Sequence, residues 1–203
     1  MKLYNEANPA PNPRRVRIFL AEKGISIPLV HVPMRQGAHK SPEFMLKNSL
    51  GQVPVLELDD GSTLSESVAI CRYLEELHPA PVMFGEDAWE RAQVEMWTRR
   101  IEFALLSRIG AVWVHTHPYT AQLGTQYKDF GEANRVRALK MMRWLNDELK
   151  DREFLAAKSY SMADIVAQTT LDFGTFIGIG MPPELTNLST WHARVSARPS
   201  AAA

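Results

Sequence analysis

Hydrophobic positions come in short runs over the first 80 residues and in long stripes of helical spacing after them. Lys2–Asn5 and Ile27–Val32 read as short strands, and Val53–Leu58 as a third strand that opens at a proline. Val16, Phe19, Leu20 and Lys23 recur at helical spacing, with Gly24 placed to end that helix. Before it, Asn8–Pro13 carries a proline at every second position and reads as an irregular loop. Ser41–Lys47 predicts a short helix, capped by Ser41 and started by Pro42. Asp59-Asp-Gly61 predicts a hairpin into a short strand at Thr63-Leu64. Ser65 is placed to cap a helix carrying Val68, Ile70, Cys71 and Leu74. The expected order is β-α-β-α-β-β-α.

The proline-bearing stretch His78–Val82 marks a boundary. The expectation is a domain over 1–78, a linker over 79–86 and an all-helical domain over 87–203. Ala88–Trp113 predicts one long helix and Arg135–Leu149 a second with an apolar stripe. Ala163–Ile177 is apolar nearly all round, which predicts a central buried helix. Ser161 and Asp164 have the spacing of a capping box at its start. Leu188–Ala197 predicts a last helix that stops before Pro199.

Charge removes several function classes. Lys+Arg and Asp+Glu both number 23, so no basic surplus remains for nucleic acid or a membrane surface. No apolar run approaches the roughly 18–20 residues of a membrane span, and the N-terminal residues lack a signal-peptide core. The single cysteine, Cys71, excludes an intrachain disulfide, and a reduced, cytoplasmic setting is expected. Its place on the apolar side of a helix predicts inert packing.

Two local patterns carry chemistry. In Gly51-Gln-Val-Pro-Val-Leu56 a proline opens a strand. A cis Val53–Pro54 bond there would turn the Val53 backbone groups toward an extended peptide ligand, whereas a trans bond would make an ordinary edge strand. In Leu64-Ser-Glu-Ser-Val-Ala-Ile70 a helix begins beside an acid and a hydroxyl. Its free N–H groups with Ser67 suit a carboxylate and Glu66 suits an ammonium, the two ends of an α-amino acid; simple capping is the other reading. His115 and His117 stand two apart, pointing about 200° apart on a helix, with no further ligand pair near, so no metal site is expected. Arg14, Arg15 and Arg17 read as a solvated helix face. Phe173 and Phe176 read as core, and Tyr4 as a packing residue of the first strand.

Taken together, the topology, Val53-Pro54, Glu66-Ser67, Asn12-Pro-Arg-Arg-Val-Arg-Ile-Phe-Leu-Ala-Glu-Lys-Gly24, Ser161-Met-Ala-Asp164 and Trp191–Pro199 resemble the cytosolic glutathione S-transferase family, in its bacterial members. The resemblance spans residues 1–199. It implies an α+β thioredoxin-like domain followed by an all-α domain, a homodimer, and glutathione as co-substrate without a metal. Val53 would pair its backbone with the cysteinyl part beside cis-Pro54, with Gln52 next to it. Glu66 and Ser67 would take the γ-glutamyl ammonium and carboxylate. His39 and Lys40 would reach the glycyl carboxylate; a solvated loop is the alternative there.

The thiol activator departs from the family pattern. Glu6–Pro13 contains no Ser, Thr, Tyr or Cys, and Ala10 stands where related sequences often carry serine. The remaining donors are the amides of Asn8 and Asn12 and backbone N–H groups at the start of the first helix. Asn12 is the expected catalytic group, a role compatible with its capping that helix ahead of Pro13. Trp113 and His117, with Ala10, are expected to line an acceptor pocket. The implied activity is attack of an ionised glutathione thiol on an electrophile, a peroxide or a disulfide. A non-catalytic protein of the same fold, binding ligands or proteins, is the alternative. The absence of C-x-x-C disfavours a dithiol reductase.

Overall fold

The structure is a computed structural model that describes residues 1–7 and 9–203. Asn8, named above as a candidate donor, lies outside the described residues. The chain forms two compact units, one of residues 1–83 with 199–203 and one of residues 84–198.

The first unit holds a four-stranded sheet of β1 (Lys2–Asn5), β2 (Leu29–His31), β3 (Val55–Glu57) and β4 (Thr63–Ser65) in the order β2-β1-β3-β4. β1 and β2 are parallel, and β3 is antiparallel to both β1 and β4. Side chains alternate across the sheet. Leu3 and Leu56 face each other across β1 and β3 and are fully buried on one side. Tyr4 and Val55 pair on the other side and join Val32, Phe44 and Val53 in a second cluster. The Tyr4 hydroxyl donates to Glu57 at 2.9 Å and its ring meets Phe44 edge-on, so Tyr4 packs.

Helix α1 is Pro11–Lys23, α2 is Pro42–Met45 and α3 is Ser67–Leu77. Ser41 caps α2, accepting the Phe44 N–H at 3.2 Å, as its position before a proline leads one to expect. Gly24 ends α1 in the left-handed conformation. The start of α1 corrects the sequence reading. The helix begins at Pro11, with Ala10 in the cap position, so Asn12 is not its cap and Pro13 is not its first residue. Prolines are tolerated here because first-turn N–H groups have no helical partner to lose. The basic run is corrected too. Arg15 is 1% exposed, and Arg17 donates to Asn5 Oδ1 at 2.6 Å and to the Glu6 carbonyl at 2.9 Å. A 3₁₀ turn, Pro199–Ala202, completes this unit against α1: Arg14 donates to the Ala201 carbonyl at 2.8 Å, and Ser200 bonds Glu22.

The second unit consists of α4 (Ala88–Arg100), α5 (Ser107–Thr116), α6 (Lys128–Glu148), α7 (Met162–Phe176) and α8 (Thr186–Ser196). The single long helix expected from residue 88 is interrupted at Ile101–Leu106 by a π-helical stretch. A widened turn keeps the chain helical and leaves no breaker residue to read. α7 is the buried centre, with Ala163–Leu171 all inaccessible. Its start is held by Asp164, whose carboxylate accepts from Ser161 N–H at 3.0 Å and Ser161 Oγ at 2.9 Å. It also accepts from Leu155 N–H at 3.0 Å and the Trp191 indole at 3.0 Å. Phe173 is core, but Phe176, at the end of α7, is 48% exposed and corrects the expectation. No helix among the described residues is long and apolar enough to cross a membrane.

Candidate functional site

In the first unit the candidate residues arise where three loops meet the ends of the sheet. The Val53–Pro54 peptide is cis, the first of the two isomers considered above. Val53 is 7% exposed, and its backbone lies one residue ahead of the proline that leads into β3. Gln52 is exposed, with its carbonyl accepting from Asn48 Nδ2 at 2.9 Å.

The loop before Val53 is pressed against the segment 38–40. Gly51 sits at φ +57°, and a Cβ there would stand 2.7 Å from the His39 carbonyl and 2.7 Å from Met45 sulfur. Sequence reasoning passed over Gly51; its signal was a glycine between a helix and a strand, where backbones approach closely. Lys40 donates its ammonium to the Leu50 carbonyl at 2.8 Å, so it ties the same two segments together. His39 is half-buried and its Nδ1 has no protein partner. Burial, and then the charge of Lys40, hold its imidazole below the ordinary histidine range, with Glu6 opposing. Glu6 itself is fixed by the N–H groups of Ala7 and Met34, each at 2.8 Å, and by His31 at 3.0 Å.

Glu66 and Ser67 open α3, and they do so differently from the expectation. Ser65 closes β4, paired with Val55, and does not cap the helix. The cap position belongs to Glu66, whose side chain makes no capping bond. Glu66 has φ 70° and is the non-glycine residue in the left-handed half of backbone space among the described residues. Such a conformation costs on the order of 1–3 kcal/mol and persists where surrounding structure imposes it. Ser67 follows, 5% exposed, at the first position of an eleven-residue helix with no side-chain cap. Its Oγ accepts from Arg15 Nη1 at 3.3 Å. Arg15 is the polar partner that sequence reasoning missed; its signal was its place four residues before Phe19, on the apolar face of α1.

Asn12 lies in the first turn of α1 as its second residue. Pro11 and Pro13 supply no N–H, and the Arg14 N–H is bonded to the Ala10 carbonyl. Asn12 is therefore the residue with a backbone N–H to offer in that turn. Its side-chain Oδ1 is buried without a protein partner. A half-turn of the amide exchanges oxygen for NH₂, so this buried position holds an amide atom that no protein group satisfies. Ala10 is half-buried in the cap position.

Trp113 and His117 belong to the second unit. The Trp113 ring lies 4.3 Å from His117, 5.8 Å from Tyr119, 5.6 Å from Phe173 and 6.3 Å from Phe176, centroid to centroid. His117 Nδ1 accepts the Tyr119 N–H at 3.2 Å, and His115 Nδ1 accepts the Tyr127 N–H at 3.3 Å. Both histidines thus serve the chain around the end of α5. Among the described residues, no group of three His, Cys, Asp or Glu side chains is placed to hold a metal ion. Cys71 is fully buried in α3, and burial pushes its thiol well above the ordinary range.

These features were compared with known proteins. The family model for the glutathione S-transferase N-terminal domain matches residues 10–77, and that for the glutathione S-transferase C-terminal domain matches residues 111–199. Glutathione S-transferase 2 of Saccharomyces cerevisiae is 38% identical over 197 residues, spanning 94% of this chain and 83% of that protein. Human glutathione S-transferase theta-2 is 32% identical over 91% of this chain and 76% of its own length. The crystal structure of a glutathione S-transferase domain-containing protein from Marinobacter aquaeolei superposes with a TM-score of 0.92 at 38% identity, covering 98% of this chain and 99% of that one. With a thioredoxin-like unit before an all-helical one, and with identity at this level over nearly its whole length, the chain belongs to the glutathione S-transferase family.

Proposed function

We propose that the chain is a glutathione transferase that binds glutathione in its first unit, ionises the thiol, and presents the thiolate to an electrophilic, peroxide or disulfide acceptor. The observation that carries this reading is the start of α3: a helix without a side-chain cap, opening on a buried serine hydroxyl beside an exposed acid. Unbonded first-turn N–H groups and the positive end of the helix dipole favour a carboxylate. Ser67 adds a donor to it, and Glu66 takes the neighbouring ammonium. The Val53 backbone pairs with the cysteinyl residue beside Pro54, with Gln52 at its edge. His39 and Lys40 face the glycyl carboxylate, Lys40 keeping two ammonium hydrogens beyond the one it gives Leu50. Thiolate, a poor species to leave uncompensated, is stabilised by the Asn12 amide groups at the start of α1. Trp113 and His117 are the residues of the second unit proposed to meet the acceptor, and Ala10 of the first unit stands in place of a hydroxyl donor. The protein acts as a homodimer in the cytoplasm, so sedimentation should give twice the mass of one chain.

Calorimetry tests the reading. Glutathione should bind, and Ser67→Ala should weaken it roughly ten- to a hundredfold, the loss of one charge-assisted hydrogen bond of about 1.5–3 kcal/mol. Unchanged affinity in the folded variant refutes the site. A titration of bound-thiolate absorbance should show ionisation at lower pH in the wild type than in Asn12→Ala. Ala10, in place of a hydroxyl donor, favours the second reading, a non-catalytic glutathione-binding protein. That reading gains if binding persists while neither protein lowers the thiol pKa and no acceptor turns over.

A further inference from the structure

We infer that Arg15 is a positioning residue that fixes the Ser67 hydroxyl as a hydrogen-bond donor toward the carboxylate of a bound α-amino acid. The inference rests on the reading of Ser67 given above and extends it to a side chain outside the ligand-facing loops.

A serine hydroxyl has one hydrogen and two lone pairs, and it rotates to suit its neighbours. A free Ser67 could turn its hydrogen toward any acceptor and meet a carboxylate with a lone pair. Arg15 removes that freedom. Its guanidinium is 1% exposed and donates Nη1–H to Ser67 Oγ at 3.3 Å. Guanidinium has donors only and keeps its charge throughout the working pH range, so Ser67 Oγ must accept from it. The serine hydrogen is then left to point away from Arg15. Inside a helix, a serine often spends that hydrogen on the carbonyl four residues earlier. Ser67 is the first residue of α3, and the residue four before it, Thr63, lies in β4. The hydrogen is therefore available at the open end of the helix.

The charge acts in the same direction. On α3, Cys71 feels the Arg15 charge, which favours its ionisation. A ligand carboxylate at the α3 N-terminus gains from Arg15 and the helix dipole together.

Calorimetry with two ligands tests this. One is glutathione; the other is 4-aminobutyryl-cysteinyl-glycine, which keeps the ammonium and lacks only the γ-glutamyl α-carboxylate. The readout is the ratio of the two dissociation constants, which a loss of general integrity does not move. Arg15→Gln and Arg15→Lys should each shrink that ratio by about tenfold, chiefly through glutathione, while the analogue changes little. In a Ser67→Ala background, Arg15→Lys should leave the ratio where Ser67→Ala alone puts it. If the Gln variant does not fold, the Lys variant keeps a buried cation and carries the test with its different donor geometry. A wild-type ratio in folded Arg15→Lys, or equal weakening of both ligands, overturns the proposal. If Ser67→Ala itself leaves the ratio unchanged, the assignment of Ser67 fails, an outcome distinct from failure of the Arg15 coupling.

Discussion

Replacing Asp164 by alanine should be the most damaging single change in the helical unit. The carboxylate is fully buried and accepts four hydrogen bonds, from Leu155 N–H, Ser161 N–H, Ser161 Oγ and the Trp191 indole, all between 2.9 and 3.0 Å. Burial raises its pKa, and these four donors pull the other way. The variant strands three buried donors that have no water to turn to, the Leu155 and Ser161 amides and the Trp191 indole. A buried unsatisfied donor costs about 1–3 kcal/mol, so the three cost about 3–9 kcal/mol. Release from burying an acid offsets part of that, and a net loss of about 3 kcal/mol is expected. The assay is unusually clean. All five tryptophans lie within residues 84–198, so the fluorescence change in urea reports that unit alone. Trp191→Phe removes one stranded donor, so its cost should be smaller in the Asp164→Ala background, with a coupling of about 1 kcal/mol. A loss below about 1 kcal/mol for Asp164→Ala, or strictly additive costs, would refute the reasoning.

Other outcomes follow from the first unit. Glu57, bonded to Lys47, Lys2 and Tyr4, has its carboxyl pulled down to about 2. A depressed carboxyl contributes stability above its unfolded pKa and loses it as pH falls toward the folded one. Between pH 4.5 and about 2, the urea midpoint by circular dichroism should therefore fall more steeply for wild type than for Glu57→Gln. Cys71, buried and with its thiol pushed up, should resist an aromatic disulfide reagent in the native protein and react fully once urea unfolds the chain. Gly51→Ala should destabilise by more than Gly24→Ala, because both have positive φ but only at Gly51 does a Cβ meet a carbonyl at 2.7 Å. The left-handed conformation alone costs roughly 1–2 kcal/mol, and equal losses in thermal melts would count against the close approach.

Much of the architecture could be read from residue patterns because the deciding interactions were local. Ser41 before Pro42, the Asp59–Gly61 hairpin and the Ser161–Asp164 box each involve partners within a few residues, and each forms. What escaped depends on contacts distant in sequence. Arg15 looks solvated when counted with Arg14 and Arg17, and only packing of α1 against α3 buries it on Ser67. Ser65 looks like a cap until pairing of β4 with Val55 claims it, which moves the helix start to Ser67 and throws Glu66 into positive φ. The alternating prolines around Asn12 looked like loop, yet first-turn positions ask nothing of their missing N–H groups. The π stretch at Ile101–Leu106 leaves no mark on a 3.6-residue period. For the candidate site, positions 52–54 and 66–67 could be singled out as expectations from residue types alone, whereas the Arg15–Ser67 bond and the close approach at Gly51 required three dimensions.

The turn at Pro199–Ala202 gives the first unit a peculiar history. Its bonds, from Arg14 to the Ala201 carbonyl and from Ser200 to Glu22, join residues 187 and 178 positions apart along the chain. Domains tend to fold as they emerge, so the sheet and its helices can assemble while the helical unit is still being synthesised. The outer side of α1, however, must wait uncovered for the whole of that interval. A nascent chain arrested soon after residue 83 would display Arg14 and Glu22 to whatever surrounds it, chaperones included. Completion of this unit thus waits for residues made well after the rest of it, once the whole intervening helical unit has been synthesised.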